Sequence, residues 1–392
     1  MKRALIVGTG MTPFGNHTGV GVRRLAIAAL DEALADAGVP PQDVNRVFFG
    51  NAAAGIVSQQ EMIRGQVALR HHALAAVPLF NVENACASGG SALTLAFEAI
   101  RSGAAEVVIA VGAEQLNHVD RSRAFNALRG STDIDEIGEG VPGNVAANSV
   151  LMNYYAAVAQ EYLDRCGATV EDFAAVAVKN RRHAGMNPLA HLRKPQTVSD
   201  VLSSRLIAAP LTLPMCSPLT DGAAALVLCS EDYARGLPVP AVEVVASHLA
   251  AATGQPGSPV RDAANMVYRQ SGLGAEDFDL IELHDAAAPA ELLQYAEIGL
   301  CAEGEGHLLL RSGATGLGGR QPINVSGGLL SRGHPLAATG CAQVVELCTQ
   351  LRGRAGERQV AGARLGLAIN GGGWLDTSYA VTVATIVRQY AP

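Results

Sequence analysis

Short apolar runs alternate with amphipathic stretches along the whole chain, and this pattern predicts an α/β protein. Residues 4–10 (ALIVGTG) read as a buried first strand. Residues 22–37 place Val22, Leu25, Ala26, Ala29, Leu30 and Ala33 on one helical face, with Arg23, Asp31 and Glu32 on the other. Gly38 ends that helix and Pro40 follows it. Residues 46–52 (RVFFGNA), 77–80 and 106–114 (EVVIAVGAE) supply further strands. Between the last two, residues 81–90 (NVENACASGG) turn directly into an Ala/Leu-rich helix, SALTLAFEAI. From about 115 to 214 the texture becomes polar and irregular, with helices such as 150–165, and reads as an inserted lobe. Residues 218–230 restore a core strand.

The second half repeats the first. Residues 38–52 (GVPPQDVNRVFFGNA) align without a gap on 272–286 (GLGAEDFDLIELHDA), and 106–114 align on 364–372 (RLGLAINGG). Each half then supplies a helix, a strand, an elbow with its helix and another strand. Packing the halves through their elbow helices predicts a pseudo-twofold, five-layer αβαβα structure. The domain reading is 1–114 with 215–235 as one half, 115–214 as an inserted loop domain, and 236–392 as the other half.

Composition narrows the function classes. Almost half of the 392 residues are apolar, Gly is frequent, aromatics are few, and the net charge of −7 argues against a nucleic-acid surface. Seven scattered cysteines without a CxxC pair predict reduced thiols in a cytoplasmic setting and no zinc site. The opening MKRALIVGTGM is too short and Gly-broken for a signal peptide, and no run approaches a membrane span. GTGMTPFG lacks the third glycine of a dinucleotide fingerprint, and Pro13 obstructs an immediate helix.

Cys86 stands where the elbow helix begins. A lone cysteine there is ordinarily a small core residue, but Asn84, Ser88, Gly89 and Gly90 leave room around the sulfur. Unpaired N–H groups and the helix dipole predict a thiol pKa below the roughly 8.5 of free cysteine. His284, with Asp285, follows one second-half strand. His334 lies in a Gly-rich turn before a helix, and Asn370 leads Gly371–Gly373 at another strand end. Groups beyond strand C-termini converge on a crevice, so these residues form a candidate nucleophile–base–oxyanion set. His71 and His72 read as surface residues, and Cys341 and Cys348 as packing residues of the later helix.

Taken in order, NVENACASGG, ELHDA, NVSGGLLSRGHPLAATG and NGGG resemble the motifs of the thiolase superfamily, specifically its sterol-carrier-protein-2-type branch. The resemblance runs from residue 4 to about 386. It implies a duplicated thiolase fold and a thiolase-like acyltransferase that cleaves or forms a C–C bond of a 3-oxoacyl-CoA through acyl-Cys86. It makes His334 the base for Cys86, helping also to bind a thioester oxygen, and His284 a group that orients an oxyanion. Because the second thiol of the family is missing, His284 is expected to polarise the thioester oxygen and to be the candidate relay for the second proton. The N–H of Cys86 with one from Gly371 or Gly372 would form a second oxyanion hole. Lys179, Arg181, Arg182, Ser326 and Gly327 would contact coenzyme A, a substrate rather than a bound cofactor, and no metal is implied. A solvated basic loop is the competing reading of the lysine and arginines. Two departures stand out. The second thiol of ordinary thiolases is replaced by Asn370, and that of the sterol-carrier branch by Ala286. Proteins lacking it imply, by analogy, a small zinc-ribbon/OB-fold subunit. They keep open a C-acyltransferase or condensing enzyme, a retro-aldol lyase, or a weakly catalytic acyl-CoA- or lipid-binding subunit. The family also implies a homodimer or dimer of dimers.

Overall fold

The computed structural model describes residues 1–135, 150–253 and 257–391. Nine main strands form one continuous mixed sheet: β1 (Ala4–Met11), β2 (Arg46–Gly50), β3 (Leu79–Val82), β4 (Val107–Glu114), β5 (Gly222–Ser230), β6 (Val242–Ala251), β7 (Leu280–Glu282), β8 (Leu365–Gly372) and β9 (Val381–Gln389), in the order β3-β2-β4-β5-β1-β6-β9-β8-β7. β2 runs parallel to β3 and β4, as β7 does to β8, while the pairs joining them are antiparallel. Ala4–Ile6 of β1 pair with Val242–Val244 of β6 and stitch the two half-sheets together.

Strand periodicity explains the layers. In β1, Leu5 and Val7 face the outer helix α1 (Val22–Ala37), whereas Ala4 and Ile6 face the centre. In β4, Val107, Ile109 and Val111 point outward, and Val108 and Ala110 inward. The central layer consists of α2 (Ser88–Arg101) and its second-half counterpart α8 (Thr339–Leu351). Glycines permit their close approach: a Cβ on Gly89 would lie 2.3 Å from Ala337 O, and one on Gly340 2.4 Å from Gly90 N. The far outer layer carries α5 (Val170–Gly185), α6 (Pro259–Ser271) and α7 (Ala288–Glu297). The five expected layers are present.

The repeat also holds element by element. Gly38 and Gly272 end α1 and α6 in left-handed conformations, with φ of +63° and +73°. Short 3-10 turns follow at Pro41–Asp43 and Ala275–Asp277, then β2 and β7. Turns Ala85–Ala87 and Leu336–Ala338 precede α2 and α8. Between β4 and β5 lie α3 (Ser122–Arg129), α4 (Val150–Cys166) and α5; part of the expected lobe, 136–149, is outside the described residues. Phe173 and Val176 of α5 share one apolar core with Leu283, Leu292 and Leu329, so this segment packs as part of the second half's outer face.

Candidate active site

The 3-10 turn carrying Cys86 is tightly held. Ala85 has φ +48°, which costs a residue with a Cβ about 1–2 kcal/mol. The Glu83 carboxylate accepts the Ala85 N–H at 2.7 Å, and Ser88 Oγ accepts the Asn84 N–H at 2.9 Å. From the other half, the Asn370 amide at the end of β8 donates to Cys86 O at 3.1 Å.

Cys86, His284 and His334 each offer a ligand or reacting atom within 4.8 Å of the others. The imidazoles meet edge to face at 5.1 Å between ring centroids. Such a trio has donors for a soft cation as well as the makings of a nucleophile flanked by two imidazoles. The hydrogen bonds behind the rings fix their tautomers. With the Thr339 hydroxyl proton assigned to Pro335 O at 3.3 Å, Thr339 Oγ1 accepts from His334 Nδ1–H at 2.7 Å. His334 Nε2 is therefore the bare nitrogen. Asn370 Oδ1 accepts from Gly90 N at 3.3 Å, which turns its NH₂ toward Cys86 O and His284 Nδ1, the latter at 3.3 Å. His284 thus carries its proton on Nε2, as a donor. Gln294 clamps the His284 backbone from both sides: Oε1 accepts its N–H at 3.0 Å and Nε2 donates to its carbonyl at 2.8 Å.

The electrostatics reverse one expectation. Burial, aided by the Glu114 carboxylate, pushes the Cys86 thiol up to about 12; the N–H groups of Gly373 and Cys86 pull the other way without prevailing. Local helix-start effects lose to desolvation. Burial and the Arg332 guanidinium hold His334 down to about 3, and burial, His334 and Arg332 hold His284 well below its ordinary value. The resting site is a neutral thiol beside two neutral imidazoles. A neutral His284 with only its Nε2 proton would become an imidazolate on giving it up, so the expected proton-relay role does not fit. Asp285 points away, accepting from Leu329 N and Asn180 Nδ2 at 2.7 Å each.

The oxyanion expectation shifts by one residue. Gly371 and Gly372 lie within the β8–β9 ladder, opposite Thr382 and Val381. The amide facing the sulfur belongs to Gly373, just past the strand at φ +62°.

The phosphate-binding expectation largely fails on burial. Lys179 is 5% exposed and pairs with the fully buried Glu291 at 2.8 Å. The Arg181 side chain donates to Ser331 Oγ at 2.9 Å, and Ser326 Oγ donates to Glu282 at 2.6 Å; both residues are buried. Gly327 is buried against Ala184 at φ +106°. These four hold α5 and the His334 turn onto the second half. Arg182 alone of the five is exposed.

Cys86 opens onto a cavity of about 350 Å³ walled by Leu116, Phe125, Leu128, Met152, Tyr155 and Trp374. Cys216, which the sequence reading passed over, lines it too. Among the described residues no helix is long and apolar enough to cross a membrane.

Comparison with known proteins agrees with this geometry. The profile "Thiolase, N-terminal domain" matches residues 4–198, and "Thiolase C-terminal domain-like" matches 244–385. The chain is 37% identical to Sterol carrier protein 2 of Bos taurus over 413 residues, covering 99% of this chain and 74% of that protein. It is 37% identical to Acetyl-CoA acetyltransferase of Methanothermobacter thermautotrophicus over 384 residues, covering 95% and 97%. Benzoylsuccinyl-CoA thiolase subunit BbsB of Thauera aromatica is 36% identical, with 92% and 91% covered. The solved Ltp2-ChsH2(DUF35) aldolase superposes with a TM-score of 0.80 at 27% identity, covering 99% of this chain and 98% of that one. The fold, the Cys–His–His centre and these matches together establish that the chain belongs to the thiolase family, as an acyltransferase with the sterol-carrier-protein-2-type proteins among its relatives.

Proposed function

We propose that the protein cleaves or forms the C–C bond next to a CoA thioester through an acyl-Cys86 intermediate, with a 3-oxoacyl-CoA as the substrate of cleavage. One observation carries the reading: the Cys86 sulfur and a ring nitrogen of each of His334 and His284 lie within 4.8 Å of one another. As sulfur attacks the 3-oxo carbon, His334 takes its proton, so no standing thiolate is needed. The N–H groups of Cys86 and Gly373 are placed for the tetrahedral oxygen, and His284 Nε2–H for the thioester oxygen. The acyl chain occupies the apolar cavity and the CoA nucleotide runs outward past Arg182. Incubation with a 3-oxoacyl-CoA should add one acyl mass to the protein, on Cys86. Turnover without that adduct would sink the reading.

A second reading has its own support. Positions 286 and 370 carry no thiol, and the superposable aldolase is named with a DUF35 partner. A retro-aldol lyase with an accessory subunit would process substrate without acylating Cys86, so the same mass measurement separates the two. We also propose a homodimer through the sheet edge at β3, where Phe80 is 50% exposed; light scattering tests it.

A further inference from the structure

Both departures from the thiolase motifs leave one chemical task unassigned. When the C2–C3 bond of a 3-oxoacyl-CoA breaks, the shorter acyl-CoA departs as an enolate that needs a proton on carbon. When CoA arrives, its thiol must lose one.

The protic groups of the cavity can be taken in turn. His334 already holds the Cys86 proton at the moment of cleavage. His284 has a single proton, and losing it costs an imidazolate. Tyr379 OH donates to His284 O at 3.2 Å, and Tyr155 OH donates to Tyr379 OH at 3.2 Å, so both hydroxyl protons belong to a structural chain. The Asn370 amide does not titrate. Cys341 and Cys348 are fully buried in the central core on α8 and do not line the cavity.

Cys216 remains. It lines the same cavity as Cys86, His284 and His334, on the segment leading into β5. Its backbone forms an antiparallel bridge with Ala287, and Ser217 N donates to Ala286 O at 3.0 Å. Cys216 therefore lies beside position 286, where the sterol-carrier branch carries its second thiol and this chain has only a methyl group. The Cys216 thiol donates to Thr212 O at 3.6 Å, a weak S–H hydrogen bond and the one it makes among the described residues, which a rotation of the side chain would release.

We infer that Cys216 is the second acid/base of this enzyme, with the missing catalytic thiol supplied from a neighbouring segment. The inference rests on the acyl-Cys86 reading. In cleavage, Cys86 S–H passes its proton to His334, sulfur bonds to C3 and the C2–C3 bond breaks. Cys216 S–H protonates C2, and the shorter acyl-CoA leaves. The Cys216 thiolate then takes the proton of incoming CoA–SH. The CoA thiolate attacks acyl-Cys86, and His334 returns its proton to the released Cys86 sulfur. Both cysteines end as thiols and no redox partner is consumed. Burial pushes the Cys216 thiol up to about 12, which keeps it in the donor form at neutral pH.

The test uses Cys216→Ala and Cys216→Ser in the full chain, with two readouts. The first is the rate of 3-oxoacyl-CoA cleavage relative to Cys86 acylation by a p-nitrophenyl acyl ester, whose phenolate leaves without needing a proton from Cys216. The Ala variant should lower that ratio roughly 10²–10⁴-fold, the contribution of a positioned acid/base. The second is exchange of the C2 hydrogens of the saturated acyl-CoA product with D₂O, which the Ala variant should lose. Cys216→Ser keeps a weaker acid in place and should fall between. An unchanged ratio and unchanged exchange in folded Cys216→Ala would overturn the inference and assign the proton to water or a partner subunit. Wild-type protein that acylates from the p-nitrophenyl ester but cleaves no 3-oxoacyl-CoA would instead refute the proposed reaction. The exchange assay, which needs no C–C cleavage, would still decide on Cys216.

Discussion

Thr339→Val is the sharpest test of how the base is built. Thr339 is fully buried, and valine matches its shape while removing the only acceptor shown for His334 Nδ1–H. If the ring keeps its tautomer, a buried N–H is left unsatisfied, at a cost of about 1–3 kcal/mol. At 1.36 kcal/mol per tenfold, that corresponds to roughly 5- to 150-fold in the acylation rate, if the strain is borne where His334 meets the sulfur. If the ring instead switches tautomer, Nε2 carries the proton and the base is lost outright, a fall of roughly 10²–10⁴-fold. The assay is single-turnover acylation of Cys86 followed by intact mass, with urea unfolding to confirm the fold. Thr339→Ser restores the hydroxyl and should recover most of the rate. A folded Thr339→Val protein that acylates at the wild-type rate would refute the tautomer assignment and the role of His334.

Two further outcomes follow from burial. With Cys86 held up to about 12, its thiol stays protonated at neutral pH, so its alkylation by iodoacetamide should be slow at pH 7 and rise about tenfold per pH unit through pH 9–11; fast, pH-independent labelling at pH 6–8 would show a standing thiolate. Lys179→Met should cost about 3–5 kcal/mol by stranding the buried Glu291 carboxylate, whereas Arg182→Ala should raise the KM for CoA and leave the melting temperature unchanged; the reverse pattern would return Lys179 to the phosphate site.

Local pattern made much of the fold readable. Apolar spacing and Gly38 delimit α1 at Val22–Ala37, and the gapless repeat anticipates β7 and the turn before it. Cys86, His284, His334 and Asn370 were findable because each stands at a strand end or elbow, where sequence alone marks geometry. What escaped depends on burial by distant segments. The basic run on α5 looks solvated until Glu291, 112 residues beyond Lys179, is folded against it. The Cys86 ionisation follows from what covers it, and the helix start says nothing of that. Cys216 opens the segment CSPLTDGAAALVL, which resembles a recurrent stretch of the sterol-carrier branch, but nothing in that stretch gives the thiol a role until Ala286 is beside it.

The internal repeat raises the question of why there is one reaction centre and not two. Carried through the alignment, His284 corresponds to Gly50 and Asn370 to Gly112, and the matching 3-10 turns pair Cys86 with Ala337. At each paired position one copy bears the functional group, and the other bears hydrogen or a methyl. The mirrored location is also closed: a Cβ on Gly112 would lie 2.0 Å from Ala337 O, and one on Gly50 3.1 Å from the Ser88 carbonyl carbon. One copy's turn supplies the nucleophile, the other's strand ends supply the base and the donors, and the vacated counterparts let the two central helices close together. Restoring Cys, His and Asn at positions 337, 50 and 112 would therefore wedge the halves apart before it created a second centre. Asymmetry between the copies is what allows the duplicated scaffold to close around a single site.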